Sequence, residues 1–381
     1  MIAAILLVSA PNGLNAQTDT TGNHLKQIQE KLKSDEILLE YYLSDSTLIL
    51  TAVTNDVIYS SCQSVDLWFL TIVKRFSRSL KTAGYYNFYV SGQTLYAFLV
   101  APIEDLLLGK KRMIIIPGEE LNGLPFEAFI RCHNYSEPFT PKNSHYLVQD
   151  FEIIYHWSLR KWEEPFNCNP EPELLFIGFS PVIKTKSAIS TIPFSLKETT
   201  EIGRLFKKKG YPDQQIFIQF SGEESFVKNV TRGKIIHLAT HCISGKYDDH
   251  PGGFIFTGFQ PEEKAAHPSP GLLTSEEIRD LHLNADLLVL NSCSSYRGFM
   301  SAGMNSVYFS RNFMIAGVHN ILSTLWNVTD EYAHHFMIDF YRRWLSGKTY
   351  SEALREVKLQ MISNPKTALP LVWAPYILMG Q

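Results

Sequence analysis

The chain has 381 residues, of which 45% are hydrophobic and 13% aromatic, so it is long enough to fold as one large globular domain or two smaller ones. Its 35 basic and 38 acidic residues are mixed along the sequence and give a formal charge of −3, without the long basic stripe of a nucleic-acid-binding protein. The five cysteines are odd in number and form no CxxC pair, which argues against a disulfide framework and against a structural zinc site.

The start of the chain is apolar over residues 1–10, which is too short to span a membrane. Residues 1–16 resemble a signal peptide, but the positively charged start is missing and Leu14 stands where a small residue is preferred. We therefore interpret residues 1–24 as a leader or as the stump of an upstream segment. A leader implies export, whereas a stump leaves a cytoplasmic protein, in which free thiols are stable. No other stretch has the composition of a transmembrane helix.

The first part of the chain, residues 25–165, alternates between helical spacing and short apolar runs. The predicted helices span 25–34, 65–83 and 95–108. The predicted strands span 36–43, 47–54, 112–117 and 151–155. Pro102 lies inside the third helix and predicts a kink or a break there, because proline has no N–H to donate. Residues 165–172 are rich in Pro, Asn and Glu and are predicted to link the two halves.

The second half, residues 171–381, shows the same alternation. The predicted strands span 173–179, 215–220, 234–241, 286–293 and 320–326. The predicted helices span 196–209, 223–229, 305–316, 330–345 and 350–362. Strands that alternate with helices are typical of strand–helix–strand units and a parallel sheet.

Two of these strands end in reactive side chains, His241 and Cys293. Both are short and rich in leucine or β-branched residues, so we expect buried parallel strands. Between them, Thr274 and Glu277 form a capping-box pattern, which predicts the helix of a strand–helix–strand unit. The carboxyl ends of strands in an open α/β sheet carry the reactive groups, and neighbouring strands lie about 5 Å apart. An imidazole can then reach a thiol, which yields a nucleophilic thiolate and a proton donor for the leaving group.

Three nearby residues have other interpretations. His237 lies four residues before His241, about 13 Å away along a strand, so the two cannot share a metal ion. We interpret His237 as a core histidine or as a group that supports the site from behind. Cys242 is a rival thiol, but it stands next to the base rather than opposite it. Asp330 follows the strand 320–326, and is either a helix cap or a group that faces the substrate.

Several short motifs stand in a fixed order along residues 25–380. They include Leu124-Pro125-Phe126-Glu127, Ile236 to His241, Leu288 to Cys293, Gly317 to Asp330 and Trp373 to Tyr376. Their order and spacing resemble the CHAT domain, a caspase- and separase-like family of cysteine peptidases of the clan CD type. The resemblance implies a caspase-like α/β fold, a three-layer sandwich with a mostly parallel central sheet. Residues 25–165 would then form an N-terminal pseudo-half, and residues 171–381 the protease half.

The resemblance also implies roles for individual residues of a cysteine endopeptidase that cleaves protein substrates. His241 would be the base and Cys293 the nucleophile; their separation of 52 residues is close to the roughly 50 residues of caspases. The backbone N–H groups of Cys242 and Cys293 would form the oxyanion hole. Asp330 would pair with a substrate side chain if that side chain is basic. No metal or organic cofactor is required.

One position departs from the family pattern, because Cys242 stands where the family usually has glycine after the catalytic histidine. A cysteine resists the positive φ that glycine takes freely, and loss of one oxyanion donor raises the barrier by about 2.7–4 kcal/mol. The alternative function is therefore a catalytically weak scaffold or pseudo-protease that acts through protein–protein interaction. Its partner would be a TPR-type or other sensor protein; neither nucleic acid nor a membrane is an expected partner.

Overall fold

A computed structural model of the chain describes residues 25–44, 46–82, 85–133, 140–141, 143–159, 174–180, 193–211, 214–218, 223–243, 252–257, 259, 271–291 and 302–380. The chain divides into two compact units. Unit 1 consists of Met1–Glu164 and Lys358–Ala374, and unit 2 consists of Pro165–Val357 and Pro375–Gln381. The predicted leader and the predicted linker lie outside the described residues.

Unit 1 combines strands and helices. Its strands are β1 (Glu36–Leu43), β2 (Thr47–Val53), β3 (Ile58–Ser64), β4 (Arg112–Ile116), β5 (Ile130–His133), β6 (Ser144–Tyr146) and β7 (Glu152–Tyr155). Its helices before residue 160 are α1 (residues 25–31), α2 (Leu67–Thr82), α3 (Tyr85–Leu99) and α4 (Leu147–Asp150), with 3₁₀ segments over Ala101–Leu107 and Phe126–Ala128. Five strands lie side by side in the order β3-β2-β1-β4-β7, parallel from β1 through β4 to β7 and antiparallel in the β1-β2-β3 meander.

Several elements of unit 1 differ from the sequence-based expectation, among them β5 and β6, which were not predicted. The helix predicted over 95–108 is wrong in its start, because α3 already begins at Tyr85. Its sequence carries aromatic residues on most sides, so no apolar stripe marks the beginning. The break expected at Pro102 is confirmed, since a 3₁₀ segment replaces the helix there. β3 was not predicted, because it is a polar edge strand without a buried face.

Residues 358–374 complete unit 1 from far along the sequence. They include α11 (Pro370–Trp373), and the Trp373 ring packs edge-on against Tyr146 with ring centres 5.0 Å apart. The Lys358 ammonium lies 2.8 Å from Oε1 of Glu127, and both side chains are almost fully buried. The other oxygen of Glu127 accepts the Tyr155 hydroxyl. Glu127, the last residue of the Leu124-Pro125-Phe126-Glu127 motif, therefore forms a buried ion pair inside unit 1.

Unit 2 carries the two strands that the sequence singled out. Its strands are β8 (Leu174–Ser180), β9 (Gln214–Ile218), β10 (Gly233–Leu238), β11 (Cys242–Ile243), β12 (Gly253–Ile255), β13 (Leu272–Thr274), β14 (Ala285–Leu290), β15 (Val318–Thr324) and β16 (Tyr376–Met379). The helices that follow its strands are α5 (Pro193–Lys208), α6 (Glu223–Val230), α7 (Ser275–Arg279), α8 (Ala302–Ile315), α9 (Asp330–Leu345) and α10 (Tyr350–Ser363). From Lys358 onward, α10 belongs to unit 1.

The strands of unit 2 are mostly parallel. Six lie side by side in the order β9-β8-β10-β14-β15-β16, and only β15 and β16 are antiparallel. The chain moves outward from β8 to β9 on one side and from β10 to β15 on the other, so the order reverses between β8 and β10. Such a switch point opens a crevice beyond the carboxyl ends of the strands. The prediction of an α/β fold with a mostly parallel sheet is confirmed.

Two local features fix the helices around this sheet. The Thr274 hydroxyl accepts the N–H of Glu277 while the Glu277 carboxylate accepts the N–H of Thr274, so the predicted capping box is confirmed at the start of α7. Helix α5 lies close to β8, because a Cβ added at Gly178 would overlap Cγ2 of Thr199. Among the described residues, no helix has both the length and the apolar composition needed to cross a membrane.

Candidate active site

The strands predicted to carry the site are neighbours. β10 and β14 run parallel, with Leu238 opposite Leu290 at their carboxyl ends. His241 follows Leu238 by three residues and is only 3% exposed. Cys293 follows Leu290 by three residues and lies outside the described residues. His241 therefore stands beyond the end of β10, the strand that borders the switch point.

The backbone at Cys242 is oriented by β11, the edge strand of a small antiparallel sheet in the order β11-β12-β13. Cys242 lies opposite Phe254, and the N–H of Ile255 donates to the carbonyl of His241 at 2.8 Å. In an antiparallel ladder, a bond in this position means that Cys242 and Phe254 form a pair whose backbone groups do not hydrogen-bond to each other. The N–H of Cys242 therefore points away from β12, toward an edge that pairs with no described strand.

The Cys242 thiol is in a different environment from its backbone. It packs against the hydrophobic core cluster of unit 2. Burial raises the pKa of the Cys242 thiol to about 12, so it stays protonated and unreactive at neutral pH. Because Cys242 belongs to a strand, its backbone is extended, and the strain expected for a positive φ does not arise in this conformation.

A buried carboxylate joins β10 to the residue after β14. Glu198, on the second turn of α5, is 1% exposed. Its Oε1 accepts an N–H from Nε2 of His237 and another from Nδ2 of Asn291, each at 2.8 Å. The backbone N–H of Asn291 in turn donates to the carbonyl of Leu238 at 3.0 Å. One oxygen atom thus ties together a helix, β10 and the end of β14.

Both ring nitrogens of His237 have partners. Nε2 donates to the Glu198 carboxylate, and Nδ1 lies 3.2 Å from the hydroxyl of Tyr341. Burial raises the pKa of Tyr341 well above its usual value, which keeps this hydroxyl a donor. The structure thus places His237 in the core, behind the site, where it is neither exposed nor free to act as a base.

Asp330 caps a helix other than its own. It is the first residue of α9, and its Oδ2 accepts the backbone N–H of Phe194 at the start of α5, at 2.8 Å. Burial raises the pKa of Asp330, the N–H of Phe194 opposes this rise, and the charge of Glu198 adds to it. Interactions with His334 and His241 lower it.

A second histidine lies beside Asp330. His334, one turn later on α9, is buried, and its Nε2 lies 3.3 Å from Oε2 of Glu201 on α5. Its Nδ1 is buried without a hydrogen-bond partner among the described residues. Burial lowers the pKa of His334, so the ring is neutral at pH 7. In the part of the chain that the structure describes, no group of three metal-ligating side chains is present.

Sequence reasoning did not identify Glu198, although a signal was present. Glu198 precedes Ile202 and Phe206 by four and eight residues, and both are fully buried. A carboxylate in line with the apolar stripe of a helix points inward and needs hydrogen-bond partners there. Those partners lie 39 and 93 residues away in the sequence, so no local pattern could name them.

Comparisons with known proteins agree with this architecture. A family model described as the CHAT domain matches residues 90–381. Tetratricopeptide repeat protein 28 from Homo sapiens is 31% identical over 334 residues, which are 76% of this chain but only 13% of that protein. Two crystal structures of the Saccharomyces cerevisiae separase–securin complex match 95% of this chain and 31% of the chain compared, with TM-scores of 0.53 and 0.50. Their identities of 9% and 10% limit this likeness to the fold.

Proposed function

The chain belongs to the CHAT domain family and has a caspase-like fold, and from this premise we propose that it is a cysteine endopeptidase that cleaves protein substrates with His241 and Cys293. The register of β10 and β14 carries the proposal, because each residue follows the Leu238–Leu290 pair by three positions. Adjacent strands lie about 4.8 Å apart. His241 and Cys293 each follow a strand end by the same number of residues, and the two strand ends are neighbours. This arrangement favours contact between the imidazole and the thiol.

In the proposed reaction, His241 takes the proton of the Cys293 thiol, and the thiolate attacks the scissile carbonyl carbon. The carbonyl electrons move to oxygen, which accepts the backbone N–H groups of Cys242 and Cys293. The imidazolium of His241 then protonates the leaving amine as the C–N bond breaks. Water hydrolyses the thioester, with His241 as base, and releases the acid and the free thiol. The outward direction of the Cys242 N–H supports its role as an oxyanion donor.

We propose Asp330 as the partner of a basic substrate side chain. The N–H of Phe194 holds one carboxylate oxygen and so orients the group, while the second oxygen can accept a bond from lysine or arginine. Asp330→Asn keeps an oxygen for Phe194 but removes the charge. We expect cleavage after basic residues to fall about tenfold relative to cleavage after neutral ones, as for loss of a charged hydrogen bond. An unchanged preference in a peptide library would overturn this assignment.

The second candidate is a catalytically weak scaffold that acts through protein–protein interaction with a TPR-type or other sensor protein. The similarity to a tetratricopeptide repeat protein favours it. The two functions differ in the effect of Cys242→Gly. If the cysteine limits catalysis, this variant is faster than the wild type; if the chain is a peptidase that tolerates the cysteine, both are fast; and if the chain is a scaffold, both remain slow.

The test is the rate at which iodoacetamide alkylates each cysteine at neutral pH, mapped by mass spectrometry. The exposed Cys62 is an internal reference for an ordinary thiol. We expect Cys293 to react faster than Cys62 in the wild type, and this advantage to vanish in His241→Ala. If Cys293 reacts no faster than Cys62 in both the wild type and Cys242→Gly, the peptidase proposal fails and the scaffold stands.

A further inference from the structure

Glu198 is a deeply buried carboxylate that the proposed reaction does not use directly. A carboxylate that is 1% exposed persists only when its oxygens are hydrogen-bonded. Both donors to its Oε1 belong to segments of the candidate site. His237 stands four residues before His241, and Asn291 stands two residues before Cys293.

Helix α5 holds Glu198 in a fixed position. Its first turn is anchored by the bond from the Phe194 N–H to Asp330. Its second turn packs against β8, where the Thr199 side chain fills the space beside Gly178. A helix held at two successive turns can neither slide nor rotate without breaking one of these contacts, so the Glu198 oxygen is a stable reference point.

Asn291 is the last described residue before the segment that carries Cys293, and it is bound twice. Its backbone N–H donates to the carbonyl of Leu238, and its side chain donates to Glu198. These bonds fix both the backbone and the side chain of Asn291. Small errors at such a point matter, because a displacement of about 1 Å in a reacting group can reduce a rate by about 100-fold.

We propose that Glu198 is a positioning residue for the dyad. By binding His237 and Asn291 through one oxygen, it fixes the end of β10 relative to the segment that carries Cys293. This inference rests on the proposed peptidase function, since it assigns a role within that site. Glu198 does not contact the reacting atoms in this scheme; it acts through Asn291 and His237.

Three variants of Glu198 and its helix test the proposal. Glu198→Leu fills a similar space without an acceptor and leaves two buried donors unpaired, so we expect alkylation of Cys293 to slow about 10- to 100-fold. Glu198→Gln retains an acceptor oxygen and should recover most of the rate, which distinguishes geometry from charge. Arg204→Leu is the control at an exposed position of the same helix, and its Cys293 rate should stay within about twofold of the wild type.

Asn291→Ala is a second variant in case Glu198→Leu fails to fold. It removes the hydrogen bond between Asn291 and Glu198 by deleting the donor instead of the acceptor. If the two residues act through that bond, the double variant Glu198→Leu/Asn291→Ala should be no slower than the worse single variant. Hydrogen exchange of the peptide over residues 286–291 gives a second readout that needs no reactive cysteine. We expect Glu198→Leu to lose protection there while the melting temperatures of Arg204→Leu and the wild type agree.

The outcomes separate this inference from the proposed function. Fast Cys293 labelling in the wild type that is unchanged in both Glu198→Leu and Asn291→Ala overturns the positioning role and leaves the peptidase intact. Slow labelling in the wild type overturns the peptidase, and hydrogen exchange then decides whether Glu198 holds the end of β14 in place. Unchanged protection over residues 286–291 in Glu198→Leu would refute it, and a loss of protection would support it.

Discussion

Replacing Lys358 with methionine removes a cation but leaves the carboxylate of Glu127 buried in unit 1. The two side chains are 1% and 2% exposed, and Nζ lies 2.8 Å from Oε1. Removing one partner of such a pair costs about 3–5 kcal/mol, because the remaining charge is left in a site that excludes water. Tyr155 still donates to the other oxygen of Glu127, so we expect a loss near the lower end, about 3 kcal/mol.

The double variant Lys358→Met/Glu127→Leu should recover most of this loss. Replacing a buried ion pair with apolar side chains is often neutral or stabilising. The Tyr155 hydroxyl keeps two other partners, because it accepts the N–H of Phe126 at 2.8 Å and lies 3.4 Å from the carbonyl of Leu124. We expect the double variant to unfold within about 1 kcal/mol of the wild type.

Hydrogen exchange of peptides from β4 and β7 measures these free energies for unit 1 itself. Lys111→Met is the control, since Lys111 is 77% exposed and its ion pair with Asp35 is long, at 3.8 Å. Its loss should stay below about 1 kcal/mol. The buried ion pair does not stabilise unit 1 in this way if Lys358→Met costs no more than this control, or if the double variant loses the sum of the two single variants.

Three further predictions concern unit 2. Gly178→Ala should destabilise it by about 1–3 kcal/mol because the new methyl overlaps Thr199, and Thr199→Ser in the same chain should restore the melting temperature; no recovery would contradict this packing. Burial raises the pKa of the Cys242 thiol to about 12, so Cys242 should react with iodoacetamide at least about 100-fold more slowly than exposed Cys62 near pH 8, and comparable rates would show that the thiol is accessible. The folded-state pKa of His334 lies below 6.5, so the unfolded chain binds its proton first and stability falls as the pH drops below 6.5. His334→Gln should therefore reduce the loss of melting temperature between pH 7 and pH 5, whereas an unchanged loss would show that His334 contributes nothing to it.

The pair β10–β14 and the start of α7 could be predicted because each depends on neighbours in the sequence. Short apolar runs define the strands, and the hydroxyl of Thr274 needs only a carboxylate three residues later. The same local reasoning placed His241 at a carboxyl end. It missed the start of α3, because a helix with apolar residues all round has no stripe to mark its boundary.

The support behind the site could not be predicted, because it is made of contacts between distant residues. Glu198 meets its two partners only after α5 packs on the sheet. Asp330 could be predicted as a helix cap from its position, but the N–H that it accepts is 136 residues away, on α5. For Cys242, the sequence raised a question of backbone strain that depends on strand pairing with Phe254, which no local pattern reveals.

The return of residues 358–374 to unit 1 has a consequence for the order in which the protein can mature on the ribosome. At about 5–20 residues per second, roughly 10–40 s separate the synthesis of Glu164 from that of Ala374. Until Lys358 and Trp373 have been synthesised, Glu127 has no cation to pair with and Tyr146 has no contact with the ring of Trp373. The half that is translated first is therefore among the last to be completed, and a nascent chain that stalls before Lys358 exposes an unfinished core to chaperones and proteases.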